Sequence, residues 1–434
     1  MRTLVLLLFS LMLQVQAAAQ DDMQLINDVA RLQQNLKSPR ETERDAAEKQ
    51  LIELGEPVLD HLELTVEGDS EDYSQRVGRI RATLEKIAVK RVTQPASFKL
   101  ESGNIKLIDL LTKIKEKTGN RVVLGRNVLR AVAESEIEIV SEAPDVAFDF
   151  WEIIELISEQ TELQIDPYGG EEGELALSPV YRDPAQKAEV DGVNLTDISG
   201  VMRFEVTRID SSRSFTSPQL NHGSLTIKMH WEPRIAPIAI DVPLNKFKII
   251  DEFDKTYLAE DPQVVLPGMV TQSIPELEFP IRTTLFDRQV EQLKTVQGVV
   301  RAVLPGRIET FKFKDVTAQA EGTSQTKAGA TVTYLGARPN EELWGVRITL
   351  QFDDENNALD SHQSWVTNNV VMLVDQDGKR DEPFAQEVYL QSGKAVGIEY
   401  FFGENPKGKD LVYRTPAAIV NLDLPFNIEG IPLP

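Results

Sequence analysis

The sequence predicts an α+β protein built in series: an N-terminal helical module, a small two-helix α/β sheet domain, then two antiparallel β-sandwich-like domains. Three observations predict it. Apolar residues recur at helical spacing from Gln24 to about Lys90; short strand and helix patterns alternate between Ser97 and Val180; strict period-two alternation fills the remainder. At 434 residues the chain is too long for one hydrophobic core, which agrees with several domains.

Residues 1–19 are expected to be a signal peptide. Arg2 precedes an apolar run from Leu4 to Leu13, and Ala17-Ala18-Ala19 supplies the small residues a signal peptidase reads, so cleavage is expected near Ala19-Gln20. The run is too short to cross a bilayer unaided. The expected address is outside the cytoplasm, in the periplasm or the extracellular space. The chain has no cysteine, so disulfides, thiolate metal sites and cysteine nucleophiles are excluded.

Residues 20–95 read as the helical module. Leu25, Val29, Leu32 and Leu36 share one helical face. Ser38-Pro39-Arg40-Glu41 spells an N-cap, a first-turn proline and a capping-box glutamate. The next helix carries Ala47, Leu51 and Leu54 and stops at Gly55. Glu56-Pro57 restarts a helix with Val58, Leu59 and Leu62 inside, and the last helix aligns Val77, Ile80, Leu84 and Ile87. Paired amphipathic helices with short turns resemble HEAT repeats, here at most two of them.

Residues 96–180 alternate. Strands are expected at Phe98-Lys99-Leu100, Val122-Val123-Leu124, Ile137 to Val140, Leu163 to Asp166 and Leu175 to Val180. One helix carries Leu107, Leu110, Leu111 and Ile114 and closes at Gly119; the other, capped by Asp149, carries Phe150, Ile153, Ile154 and Ile157. This order predicts a sheet with two helices on one face. The segments "IKLIDLLTKIKEKTG" and "FDFWEIIELISEQTELQI" resemble the secretin and TonB N-terminal short domain, which implies a periplasmic docking unit. Residues 181–200 are polar, acidic and aperiodic, and read as a linker.

The rest is β-rich. Leu225, Ile227, Met229 and Trp231 alternate, as do Leu277, Phe279 and Ile281, then Phe311 and Phe313, then Trp344, Val346, Ile348 and Leu350, and finally Val396, Ile398, Tyr400 and Phe402. Alternation bounded by Pro, Gly, Asn and Asp marks half-buried antiparallel strands. Two sandwiches are expected, 201–305 and 306–434, divided near Pro305-Gly306. The pieces "WEPRIAPI", "LPGRIETFKF", "LVDQDGKR" and "LVYRTPAAIVNLDLPFNIEGIPLP" resemble a group of bacterial exported proteins of unknown function, a likeness that carries no catalytic assignment.

The formal charge of -23 argues against nucleic acid as a partner, because an acidic surface repels phosphate backbones. No segment after the leader is apolar for long enough to span a membrane. Gly403 to Asp410 nearly spells a phosphate-binding P-loop, but Asp410 replaces the required hydroxyl and Pro416 lies in an extended stretch, so a hairpin loop is expected. Asp375 and Asp377, with Asp381 and Glu382 beyond, place hard oxygen ligands together, as do Asp353 and Asp354; both turns are candidate calcium sites, although Gln386 stands where a calcium loop needs glutamate. Asp-Gly at 377–378 also suits a metal-free hairpin.

His61, His222, His230 and His362 lack zinc-hydrolase spacing, and Ser224 lacks a nucleophile-elbow context. His222 is read as a turn residue and His230 as a half-buried strand residue. Trp151, Trp231 and Trp344 are expected in cores, with Trp365 at a loop edge as the one candidate ligand contact. Asn194-Leu195-Thr196 matches a glycosylation sequon inside the linker. No catalytic, cofactor-binding or metal-ligating residue is assigned, and no cofactor is predicted apart from calcium at the two turns. The expected role is an exported, non-catalytic interaction or scaffold protein with an envelope or extracellular protein partner. The alternatives are a glycan-acting hydrolase using paired carboxylates and a calcium- or carbohydrate-binding module.

Overall fold

The computed structural model describes residues 23–62, 69–140, 147–179, 195–268, 270, 274–340, 342–352 and 363–433. The expected leader, the linker through Asn194, the Asp353-Asp354 turn and His362 lie outside them. The α+β class is as the periodicities predict: helices lead, and antiparallel sheets dominate the rest of the chain.

The helical module comprises α1 (23–35), α2 (Glu41–Glu53), a 3-10 turn (Glu56–Asp60) and α3 (Glu71–Thr93). Val29, Leu32, Leu36, Leu51, Val58, Val77, Ile80 and Leu84 interlock as its core, in keeping with the helical spacing of the sequence. Ser70 caps α3 by accepting the Tyr73 N–H at 3.3 Å. Three details differ from expectation. Leu54, expected on the inward stripe with Ala47 and Leu51, is the exposed C-cap of α2. Arg40, not Ser38, occupies the N-cap of α2; the Ser38 hydroxyl accepts the Arg40 N–H and donates to the Glu43 carboxylate instead. Ile87 is 43% exposed, because the C-terminal part of α3 turns Ala88 and Val92 inward as it leaves the helical core for the β half.

The small domain contains β1 (Ser97–Lys99), β2 (Gly103–Lys106), α4 (Leu107–Thr118), β3 (Arg121–Leu124), the single turn α5 (Arg130–Ala133), β4 (Glu136–Ile139), β5 (Ala147–Asp149), α6 (Phe150–Thr161), β6 (Leu163–Asp166) and β7 (Glu174–Pro179). Both helices are where the pattern placed them. α4 stops at Gly119, whose φ of 77° is the left-handed region that a residue without Cβ enters freely. At the start of α6, the Glu152 carboxylate accepts the Asp149 N–H at 2.7 Å. The strands form not one sheet but three ladders: β3-β7-β6, β1-β5 and β2-β4. The short strands β2 and β5 carry too few alternating residues to be read from sequence.

The β half opens with β8 (Thr196–Ser199), so the end of the expected linker is already strand. It continues with β9 (Met202–Ser212), β10 (His222–Trp231), β11 (Ala239–Pro243), β12 (Lys248–Asp251), β13 (Thr256–Tyr257), β14 (Val265–Gly268), β15 (Glu276–Thr283) and β16 (Gln292–Phe313). Then come β17 (Thr323–Lys327), β18 (Ala330–Asn340), β19 (Leu343–Phe352), β20 (Val370–Val374), β21 (Arg380–Asp381), β22 (Ala385–Gln391), β23 (Ala395–Phe402) and β24 (Asp410–Pro432). A four-stranded sheet, β15-β10-β9-β8, and a five-stranded sheet, β17-β18-β19-β23-β22, each share a core with part of one eight-stranded sheet.

That shared sheet is organised by a long ribbon in which β16 pairs with β24 from Gln292↔Pro432 to Phe313↔Leu411. Leu293, Val296 and Val300 of β16, with Phe426 and Ile428 of β24, face the first core, alongside Phe204, Ile227 and Phe279 of the four-stranded sheet. Phe311 and Phe313, with Leu411 and Tyr413, face the second, alongside Tyr334, Ile348 and Ile398. The expected division near Pro305-Gly306 therefore falls inside a strand. It marks a change of core, not a break between domains, and residues from Leu424 onward return to the first core, which corrects the 306–434 range. At this point Ala418 takes a φ of 50°, and a Cβ on Gly306 would meet the Ala418 carbonyl oxygen at 2.7 Å, so the two strands approach here too closely for any residue but glycine at 306.

Candidate functional site

Alternation in β10 decides which residues can form a site. Leu225, Ile227, Met229 and Trp231 enter the first core, so Thr226, Lys228 and His230 stand on the opposite face. Register adds neighbours on that face: His230 lies opposite Arg203 of β9 and opposite Glu276 of β15. The small domain covers one end of this polar face. Trp151 of α6 donates its indole N–H to the Val201 carbonyl at 3.1 Å, and its ring lies 6.3 Å from that of His230. Where α6 and β6 draw away from the sheet, a cleft of about 540 Å³ remains. Glu155, Ser158 and Glu159 form one wall; Arg203, Glu205, Lys228 and His230 form the other.

The charges of the cleft are largely paired among themselves. Arg203 binds Glu155 at 3.4 Å and Glu205 at 2.7 Å, and Lys228 binds Glu276 at 3.3 Å. His230 is 2% exposed, and its Nε2 lies 2.9 Å from a Glu276 carboxylate oxygen. Burial pushes the imidazole below its ordinary value against the pull of Glu276, so a neutral ring donating Nε2–H is the consistent state. Burial pushes the Glu276 carboxyl up, but His230 and Lys228 outweigh it and hold the group below the usual carboxylate range. His230 Nδ1 is buried with no hydrogen-bond partner. Among the described residues no hydroxyl is bonded to it: Ser158 Oγ donates to the Ile154 carbonyl at 2.9 Å, and Thr196 donates to Glu155 at 3.2 Å. The cleft can orient a polar, mixed-charge ligand; Glu155 and Glu205 are engaged by Arg203, while the exposed Glu159 makes no ion pair among the described residues.

Beside the cleft the three modules meet at a buried carboxylate. Glu232 is wholly buried and accepts from Ala96 N–H at 2.9 Å, Asn120 Nδ2 at 2.7 Å and Arg234 Nε at 2.6 Å. Arg234 spends its other donors on the carbonyls of Arg91 and Gln94 at the end of α3, and Asn120 Oδ1 accepts the Arg234 N–H at 3.0 Å. One segment, Trp231 to Ile235, thus ties helical module, small domain and β half together.

The other candidates fall elsewhere. The Gly403 to Lys409 loop joins β23 to β24, a strand where a P-loop needs a helix, and Lys409 is bound to Asp381 at 3.0 Å and Glu404 at 2.7 Å. Asp375 closes the hairpin between β20 and β21 by accepting the N–H groups of Asp377 and Lys379. Among the described residues no group of three or more His, Asp or Glu side chains is placed to hold a metal ion. His222 begins β10 and His230 nearly ends it; Gly223 lies within the strand, not in a turn, and His230 is fully buried where half-burial was expected. Trp365 sits 5.8 Å from Phe352 at the edge of the second core, with its indole nitrogen buried and unpartnered. Glu276, Arg203 and Glu232 carry no local sequence signal; only the strand register brings the first two to His230. No protein-family model, curated protein or solved structure matches this chain.

Proposed function

We propose that this chain is an exported, non-catalytic interaction protein that receives a polar, mixed-charge segment of a partner protein in the cleft between α6 and the β9-β10 face. The observation that carries the reading is the ionic pairing at the cleft, Glu155 and Glu205 on Arg203 and Lys228 on the adjoining Glu276, which suits ionic recognition better than acid-base chemistry. The Arg2 to Ala19 pattern supports export, and no helix among the described residues is long and apolar enough to cross a membrane. The likeness of residues 96–180 to a docking domain supports a binding role for the module that forms one wall.

A photoreactive amino acid at Ser158, in the native host, tests this. A discrete adduct of fixed mass is expected from Ser158, with none from the exposed position Ser392 on the far sandwich. Turnover of a polysaccharide by the purified chain, abolished by Glu155→Gln, would overturn it in favour of a glycan hydrolase.

A further inference from the structure

We propose that a second cavity, at the junction of the helical module with the β16-β24 ribbon, binds a small oxyanion of the phosphate or carboxylate class. The cavity measures about 390 Å³, within the range of small-ligand sites. Four arginines line it, Arg91 from α3, Arg234 from the segment after β10, Arg307 from β16 and Arg414 from β24. Only Glu56 and Asp60 oppose them in the lining. Three of the four are held by carboxylates, Arg234 by Glu232, Arg307 by Asp60 and Glu309, and Arg91 by Glu56, which among the described residues leaves Arg414 as the lining arginine free to meet an anion; guanidinium groups match oxyanion geometry with paired donors. The surrounding acidic surface favours a small ligand over a polyanionic chain.

The donors are not all spent. Arg307 is 7% exposed; its Nη2 binds Asp60 at 2.6 Å, while its Nη1 is buried with no acceptor. Its Nε lies 2.9 Å from Glu309 but off the N–H direction, so the contact is one of charge without a hydrogen bond. Arg81, reaching toward the same Glu309 at 3.6 Å, also leaves Nη2 unpartnered. A buried guanidinium with an idle donor is unfavourable until an acceptor arrives. Arg414 is exposed and makes no ion pair among the described residues, whereas Arg91 is shared with Glu56 at 3.2 Å. Burial pushes the Glu309 carboxyl up against Arg307 and Arg81, which weakens the internal counter-charge.

Titration calorimetry of the purified full chain with pyrophosphate and, separately, with citrate tests the site at constant ionic strength. Saturable one-to-one binding of at least one anion is expected; the stronger of the two identifies phosphate or carboxylate as the preferred class. Arg414→Ala, which removes no internal pair, should weaken binding at least tenfold, and Glu56→Gln should tighten it about threefold. Arg307→Met should abolish binding; circular dichroism separates this from misfolding, and Arg414→Ala decides if that variant fails to fold. No saturable binding of either anion, an Arg414→Ala titration like wild type, or an equal loss in the distant exposed variant Arg288→Ala would overturn the proposal.

Discussion

Two junctions hold the helical module to the rest of the molecule, and they solve the same problem differently. At Glu232 both carboxylate oxygens accept hydrogen bonds, from a backbone N–H, an amide and a guanidinium. At Arg307 and Glu309, equally buried charges approach closely yet leave Arg307 Nη1, Arg81 Nη2 and a Glu309 oxygen without hydrogen-bond partners. Burial alone therefore does not make a structural site. A satisfied network fixes geometry, and an unsatisfied one beside a cavity has capacity left for a ligand.

The largest predicted effect breaks the satisfied junction. Glu232→Ala leaves the Ala96 N–H, Asn120 and Arg234 without their carboxylate acceptor at a buried site, and should lower stability by about 3–5 kcal/mol in denaturant titrations followed by tryptophan fluorescence. A loss below about 1 kcal/mol would remove the distinction between the junctions.

Next in size is a pH effect at the cleft. His230 is neutral in the fold and held below 6.5 by burial, with Glu276, Arg203, Glu205 and Lys228 around it. The unfolded chain takes up the proton first, so this contribution is intact above about pH 6.5 and falls as pH drops toward the folded value, by about 1.4 kcal/mol per pH unit. Glu276, also held low, adds loss of the same sign further down. His230→Gln should flatten the melting temperature between pH 6.5 and 5; an unchanged slope would assign the effect elsewhere.

Smaller still is the change at the unsatisfied junction. Replacing both partners, Arg307→Met with Glu309→Leu, should leave stability within about 1 kcal/mol of wild type, because an ion pair lacking good hydrogen bonds offsets little of its desolvation. A loss as large as that of Glu232→Ala would make the two junctions equivalent. At the bottom of the scale, Arg130→Ala removes an exposed helical pair with Glu134 and should leave the melting temperature unchanged.

Range decides how much of this was legible in the sequence. Helical spacing marked Leu32, Leu51, Ile80 and Leu84 as core, and alternation marked Leu225, Ile227 and Met229, because local periodicity reports which face is buried. The same alternation put His230 on the outer face of β10, but nothing local says that a second domain will cover it. The β16-β24 ribbon was hidden because pairing partners such as Gln292 and Pro432 lie far apart in the chain, and period-two patterns do not name their partners. The four arginines of the second cavity come from four separate elements, so no motif announces them. Glu232 and Arg234 lie inside the segment "WEPRIAPI", yet their roles depend on Ala96 and Asn120, far away in the chain.

The Glu232 junction should make helical module, small domain and β half one cooperative unit, and everything argued for the two junctions rests on that coupling. Differential scanning calorimetry of the wild-type chain tests it most directly. A single transition is expected, resolving into two, with the small domain melting first, once Glu232 becomes alanine. Two separate transitions already present in the wild type would contradict it.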